Sequence, residues 1–183
     1  MRRWLLAGLV LALVVGVVGW RLAAGDDDWD PDAQFAPSLR PAFGARVDGD
    51  RLQIWTGRPC RDVTRVMLTY RFADRDSIPV LLSAPGTTVE RFDAGSGAGP
   101  LAVQDPLAPG IDWQEAESVS MVLDGPDFHQ GSFVDLDVVA EGSPEHDADT
   151  YWFQDVGWLD PDAVGEKDGK SFLTTCTPDP AEE

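Results

Sequence analysis

The sequence predicts an all-β chain: an antiparallel β-sandwich of about eight strands over residues 42–178, preceded by one N-terminal transmembrane helix. Three observations predict it. Apolar residues recur with period 2 after residue 42, Gly/Pro/Asp signals separate those runs, and helical signals are few.

The clearest strand alternates Val66, Leu68, Tyr70 and Phe72 with Arg65, Met67, Thr69 and Arg71, so one face is apolar and the other polar. The next sets Val134, Leu136, Val138 and Ala140 against Phe133, Asp135, Asp137 and Val139. Leu52 with Ile54, then Ile78, Val80 and Leu82, then Val119, Met121 and Leu123, supply three more. Shorter runs at 87–93, 150–154 and 170–176 bring the count to about eight. Asp48-Gly49 marks a hairpin, because both residues tolerate positive φ. Asp124-Gly125-Pro126 and Glu141-Gly142-Ser143-Pro144 break strands in the same way. Asp160-Pro161 is expected to cap a single helical turn that Gly165 stops. The pattern resembles immunoglobulin-like domains in architecture alone, since their Cys, Trp, Cys spacing is absent.

The first 25 residues read as a signal-anchor. From Trp4 to Trp20 no residue is charged, and a helix of that length spans roughly 25 Å, close to the hydrocarbon thickness. Arg2 and Arg3 before it, with Asp26, Asp27 and Asp28 after it, place the N-terminus in the cytoplasm and the rest outside. The expected location is therefore the cell membrane, single-pass. Ala23 and Gly25 suit cleavage before Asp26, which would make the chain secreted; the length of the apolar run and its flanking Trp favour retention. Residues 26–41 carry Asp and Pro without periodicity and read as an extended stalk, and 179–183 as an acidic tail.

Formal net charge is -18. Arg2, Arg3 and Arg21 precede every acid, so the remainder sets 11 basic against 32 acidic residues, a balance of -21. Such a field repels phosphate backbones, which makes nucleic acid a poor partner. Six of those 11 basic residues lie between Arg51 and Arg75, beside only two acids. Arg65 and Arg71 share the outward parity of their strand; Asp135 and Asp137 have matching alternation and are the expected cross-strand partners.

Cys60 and Cys176 are expected to pair, because an exported chain meets an oxidising compartment; two unpaired buried thiols are the alternative. Nucleophile triads find little support, with only His129 and His146 in the chain and no Gly-x-Ser-x-Gly elbow. Gly95, Gly97 and Gly99 lack the spacing of a dinucleotide fingerprint and read as a loop. Asp26, Asp28, Asp30 and Asp32 do not meet the calcium-loop register. Glu145, His146, Asp147 and Asp149 form a candidate weak divalent-cation cluster, weighed against ordinary surface acid; no other cofactor is expected.

The stretch from Ala94 to Trp113 holds several Gly and Pro without a strand pattern, and loops this long are often functional. Asp105, Asp112 and Trp113 are the expected recognition residues, the opposing reading being a Trp113 tucked into the core. These features together predict a membrane-anchored extracytoplasmic module that binds an envelope protein or polymer without catalysis. The alternative is a tethered hydrolase of envelope polymers acting through paired carboxylates.

Overall fold

The computed structural model describes residues 39–95, 101–126 and 129–178. The apolar segment 4–20, the acidic stretch through residue 38 and the tail 179–183 lie outside the described residues. Among the described residues no helix is long and apolar enough to cross a membrane.

In chain order the elements are β1 (Pro41–Ala42), β2 (Gly44–Asp48), β3 (Arg51–Arg71), β4 (Ile78–Asp93), β5 (Ala102–Asp105), β6 (Ser118–Asp124), β7 (His129–Asp135), α1 (Leu136–Gly142), β8 (Tyr151–Phe153), β9 (Gly157–Leu159), α2 (Pro161–Lys167) and β10 (Leu173–Thr174). Eight strands form one antiparallel sheet in the order β5-β4-β3-β2-β8-β9, with β6 on β3 and β7 outside β6. Strands β1 and β10 form a separate parallel pair. The last residue of the expected stalk, Pro41, is thus already in a strand, opposite Leu173.

β3 organises this sheet. A straight strand of 21 residues would span about 70 Å, whereas a domain of this size has a radius of gyration near 15 Å, so β3 has to bend. It does so through three register shifts against β4, between Trp55 and Cys60, Cys60 and Val63, and Val63 and Arg65. In the first two the extra residues lie on β3 and in the third on β4, and such irregularities turn the strands. Buried side chains consequently recur every third residue at Cys60, Val63 and Val66, then every second at Leu68 and Tyr70. This broken period is why the sequence reads two strands where the fold has one. Gly57 permits the bend: its φ is 84°, and a Cβ there would collide with Thr174.

β4 runs along one edge of β3, while β2 and β6 take the other edge at its two ends. Leu52 and Ile54 from one end, and Leu68 and Tyr70 from the other, enter a single apolar cluster with Leu82, Met121, Leu123 and Val134. A mostly β chain folded over one core in this way is consistent with a β-sandwich. Ile54 and Trp55 point to opposite faces, and Trp55 enters a second cluster with Tyr151, Phe153, Leu159, Val164 and Phe172. That cluster draws residues from β8, β9 and α2.

The expected strand 133–140 ends at Asp135. There the Asp135 carboxylate accepts from the backbone of Asp137 (3.0 Å) and Val138 (3.2 Å), which caps α1. Leu136 and Val139, three apart, become its buried face, while Val138 is exposed. Asp135 and Asp137 therefore do not pair with Arg65 and Arg71. β6 lies between β3 and β7, and Arg65 forms its ion pair with Asp124 on β6. The helix capped by Asp160 also runs past Gly165, to Lys167.

Cys60 and Cys176 form a disulfide with Cα atoms 5.5 Å apart, joining the bulged centre of β3 to the chain just beyond β10. The 116-residue separation predicts loop-closure stabilisation of about 4 to 5 kcal/mol by chain entropy. Replacing both cysteines with alanine is expected to lower unfolding stability by about 3 kcal/mol or more, read from the denaturant midpoint. An unchanged midpoint would mean that the bulged region needs no staple.

Candidate functional site

A cavity of about 220 Å³ lies beside β3, β4 and β5. Tyr70 on β3 pairs with Ile78 and Val80 on β4 pairs with Leu68, so Tyr70 and Val80 are diagonal neighbours two residues offset, and both are buried on one face. Val103 on β5 adds the next wall, opposite Leu82. Ala94 and Gly95 at the end of β4, and Pro106, Leu107 and Trp113 from the loop after β5, complete the lining.

The loop is held by local polar contacts. Ile111 N–H donates to the Ala108 carbonyl (3.1 Å), and the Asp112 side chain accepts from Gln114 N–H (3.0 Å), starting a 3-10 turn over Trp113–Glu115. Glu117 N–H then donates to the Arg71 carbonyl (2.8 Å), which returns the chain to the end of β3. Trp113 is left half-buried against the core with part of its indole on the cavity.

Of the three expected recognition residues, the structure brings Trp113 to the cavity. Asp112 positions it as the cap, and Asp105 ends β5 at the surface opposite Leu81. Val103 and Leu107 fall within the expected stretch from Ala94 to Trp113, whereas Tyr70 and Val80 lie outside it. Tyr70 and Val80 stand out in the sequence only as inward-parity strand residues, and parity does not separate a core wall from a cavity wall. Gly95 lines the cavity, whereas Gly97 and Gly99 lie outside the described residues.

The lining side chains are apolar or aromatic, with Tyr70 and Trp113 the two that carry a polar group. Burial, and secondarily the negative charge of Asp93, push the Tyr70 phenol well above its ordinary value of 10.0. The phenol therefore stays neutral, and the cavity volume suits a side chain or small apolar group.

No family model, curated protein or solved structure matches the chain.

The acidic cluster is organised around an arginine. Arg46 on β2 is 8% exposed and donates to the carbonyls of Thr150 (2.9 Å) and Ser143 (3.3 Å) and also to that of Asp147. His146 stacks on Trp158, with ring centroids 4.4 Å apart, and Gly142 packs so closely on that indole that a Cβ would strike it. The turn carrying Glu145, His146, Asp147 and Asp149 is thus shaped by a guanidinium and an indole. Among the described residues no three His, Cys, Asp or Glu side chains come together as a metal site. The calcium-like run at Asp26–Asp32 and the side chain of His129 lie outside what is described.

A carboxylate pair that works as acid and base needs at least one carboxyl held away from its ordinary range. Asp74 is held below it by the hydrogen bond from Arg75, but it is exposed in the β3–β4 turn, off the cavity lining.

Two measurements test these contacts. Tyr70 and Tyr151 are both raised, chiefly by burial. The unfolded chain begins to lose tyrosine protons near pH 10 while the folded chain keeps them, so stability is intact below that pH and falls as pH rises past it. Alkaline titration by ultraviolet absorbance is expected to show little tyrosinate until unfolding; half-ionisation near pH 10 in the folded state would contradict it. Arg46→Leu leaves buried carbonyls without donors and is expected to cost about 2 to 3 kcal/mol, read by chemical denaturation.

Proposed function

We propose that this chain is a membrane-anchored extracytoplasmic binding module of sandwich architecture, tethered through residues 4–20 and non-enzymatic. Its ligand is an apolar group presented by another envelope protein or polymer. The observation that carries the reading is the cavity walled by Tyr70, Val80, Val103, Leu107 and Trp113, a hollow lined by apolar and aromatic side chains.

Phe133 and Val138, on either side of the junction of β7 and α1, are exposed apolar side chains, 52% and 37%. The acidic surface keeps such a domain soluble and separated from other acidic polymers. The tether is supported by the uncharged 4–20 run and its flanking charges, and the chain is secreted instead if it is cut near Gly25.

The reading is tested by crosslinking in intact cells with a photoreactive side chain at Leu107, with and without Trp113→Ala. A discrete crosslinked partner that falls at least about tenfold with Trp113→Ala, at unchanged disulfide content, is expected; truncating a buried aromatic anchor commonly removes that much affinity. Equal crosslinking by both proteins, or recovery of the chain in the cytosol with reduced thiols, would overturn it.

A further inference from the structure

A second hollow lies on the bend of β3, beside the disulfide, and its chemistry is the opposite of the first. It is an open groove of about 480 Å³ lined by Arg58, Arg61 and Asp62, by Cys176, and by three prolines at 59, 126 and 178. The geometry points to an anion-binding site here that takes a compact phosphate group through Arg58 and Arg61.

The two guanidinium groups lie on one groove because β3 is bulged between them. Between Trp55 and Val63 the register shifts twice, and Asp62 adopts φ 54°, in the left-handed region that non-glycine residues seldom occupy. A regular strand would place residues 58 and 61 on opposite faces; the extra residues bring both arginines to one side. The disulfide at Cys60, between them, holds that geometry.

Among the described residues Arg61 meets no carboxylate, and Arg58 reaches one only through a long ion pair. Arg58 donates to the Thr177 hydroxyl at 3.1 Å, and its nearest carboxylate, Asp168, is 3.9 Å away. That carboxylate is already occupied, accepting from Thr174 N–H (2.7 Å), the Thr174 hydroxyl (3.2 Å) and the Thr177 hydroxyl (2.6 Å). Arg61 is exposed and has no hydrogen-bond or ion-pair partner among the described residues. By contrast Arg51, Arg65 and Arg75 each meet a carboxylate. Arg58 and Arg61 both line this groove, and planar guanidinium forks fit the oxygens of phosphate.

Asp62 on the same groove opposes an anion, which keeps affinity for free phosphate weak, on the order of 1 mM. The field of the surrounding acids excludes long polyanions and leaves small phosphates, free or as a lipid headgroup. Proline walls lose little freedom on binding.

The test titrates the full, disulfide-intact chain in neutral detergent with inorganic phosphate and, separately, with a short-chain phosphatidic acid below its micellar concentration, by calorimetry. Saturable binding that weakens with added salt is expected. Arg58→Gln/Arg61→Gln is expected to lose at least tenfold in affinity, and Arg71→Gln, on the outer face of β3, to change nothing. Asp62→Asn keeps the backbone conformation, which Asn tolerates, and is expected to tighten binding several-fold. Binding of both probes, or of phosphate alone, identifies a soluble phosphate site; binding of the lipid alone identifies a headgroup site. No binding of either, or a double variant that binds as well as the parent while melting at the same temperature, overturns the proposal. None of these outcomes depends on the Trp113 cavity.

Discussion

The structure depends on one constraint, the bend of β3. A strand that long cannot stay straight and still bury its apolar residues in a domain of this size, and the bulges between Trp55 and Arg65 let both halves face one core. Bulges leave ladder groups unpaired and admit water, so a bend made of three in succession is locally weak. The disulfide sits at its centre, where a cross-link constrains the chain most usefully. Thr56 adds to this, its single hydroxyl proton shared between the Arg58 and Glu90 carbonyls (2.6 and 3.1 Å) within the first shift.

The chain beyond β7 is fastened to the same sheet by polar contacts as much as by apolar ones. Ser143, buried at the end of α1, donates its hydroxyl to the Val139 carbonyl (2.5 Å) and accepts from Val47 N–H (2.8 Å) on β2. Arg46 beside it gathers the carbonyls of the next turn. A charge this buried is tolerated because it is surrounded by acceptors, and removing either side leaves the other unsatisfied. On the opposite face Trp55 stacks beneath the Arg91 guanidinium, 4.6 Å from the ring centroid, which shields the second apolar cluster from solvent.

The two hollows differ because of where they lie on β3. The C-terminal half alternates regularly, so its inward residues make an apolar wall, and the loop that crosses it leaves room for a cavity. The bulged centre alternates irregularly, so charged residues meant for opposite faces gather on one groove. An apolar hollow and a groove with two arginines thus give one acidic domain two chemically different surfaces.

Legible in the residues alone were the strand-forming stretches at Val66–Arg71, Ile78–Leu82 and Val119–Leu123, the Asp48-Gly49 hairpin, the pairing of Cys60 with Cys176 and the acidic composition, because these arise from parity, turn chemistry and composition. The sequence also singled out Trp113, through the break in pattern around it. Tertiary structure alone decided that residues 51–71 form one strand, since bulges destroy the period that would have announced it. It decided that Asp135 caps a helix, because a local carboxylate-to-backbone contact competes with period 2 over only a few residues. It decided that Arg65 meets Asp124, that Arg46 is buried, and that Tyr70 faces a cavity, because each depends on which strands become neighbours, and neighbours far apart in sequence leave no local trace.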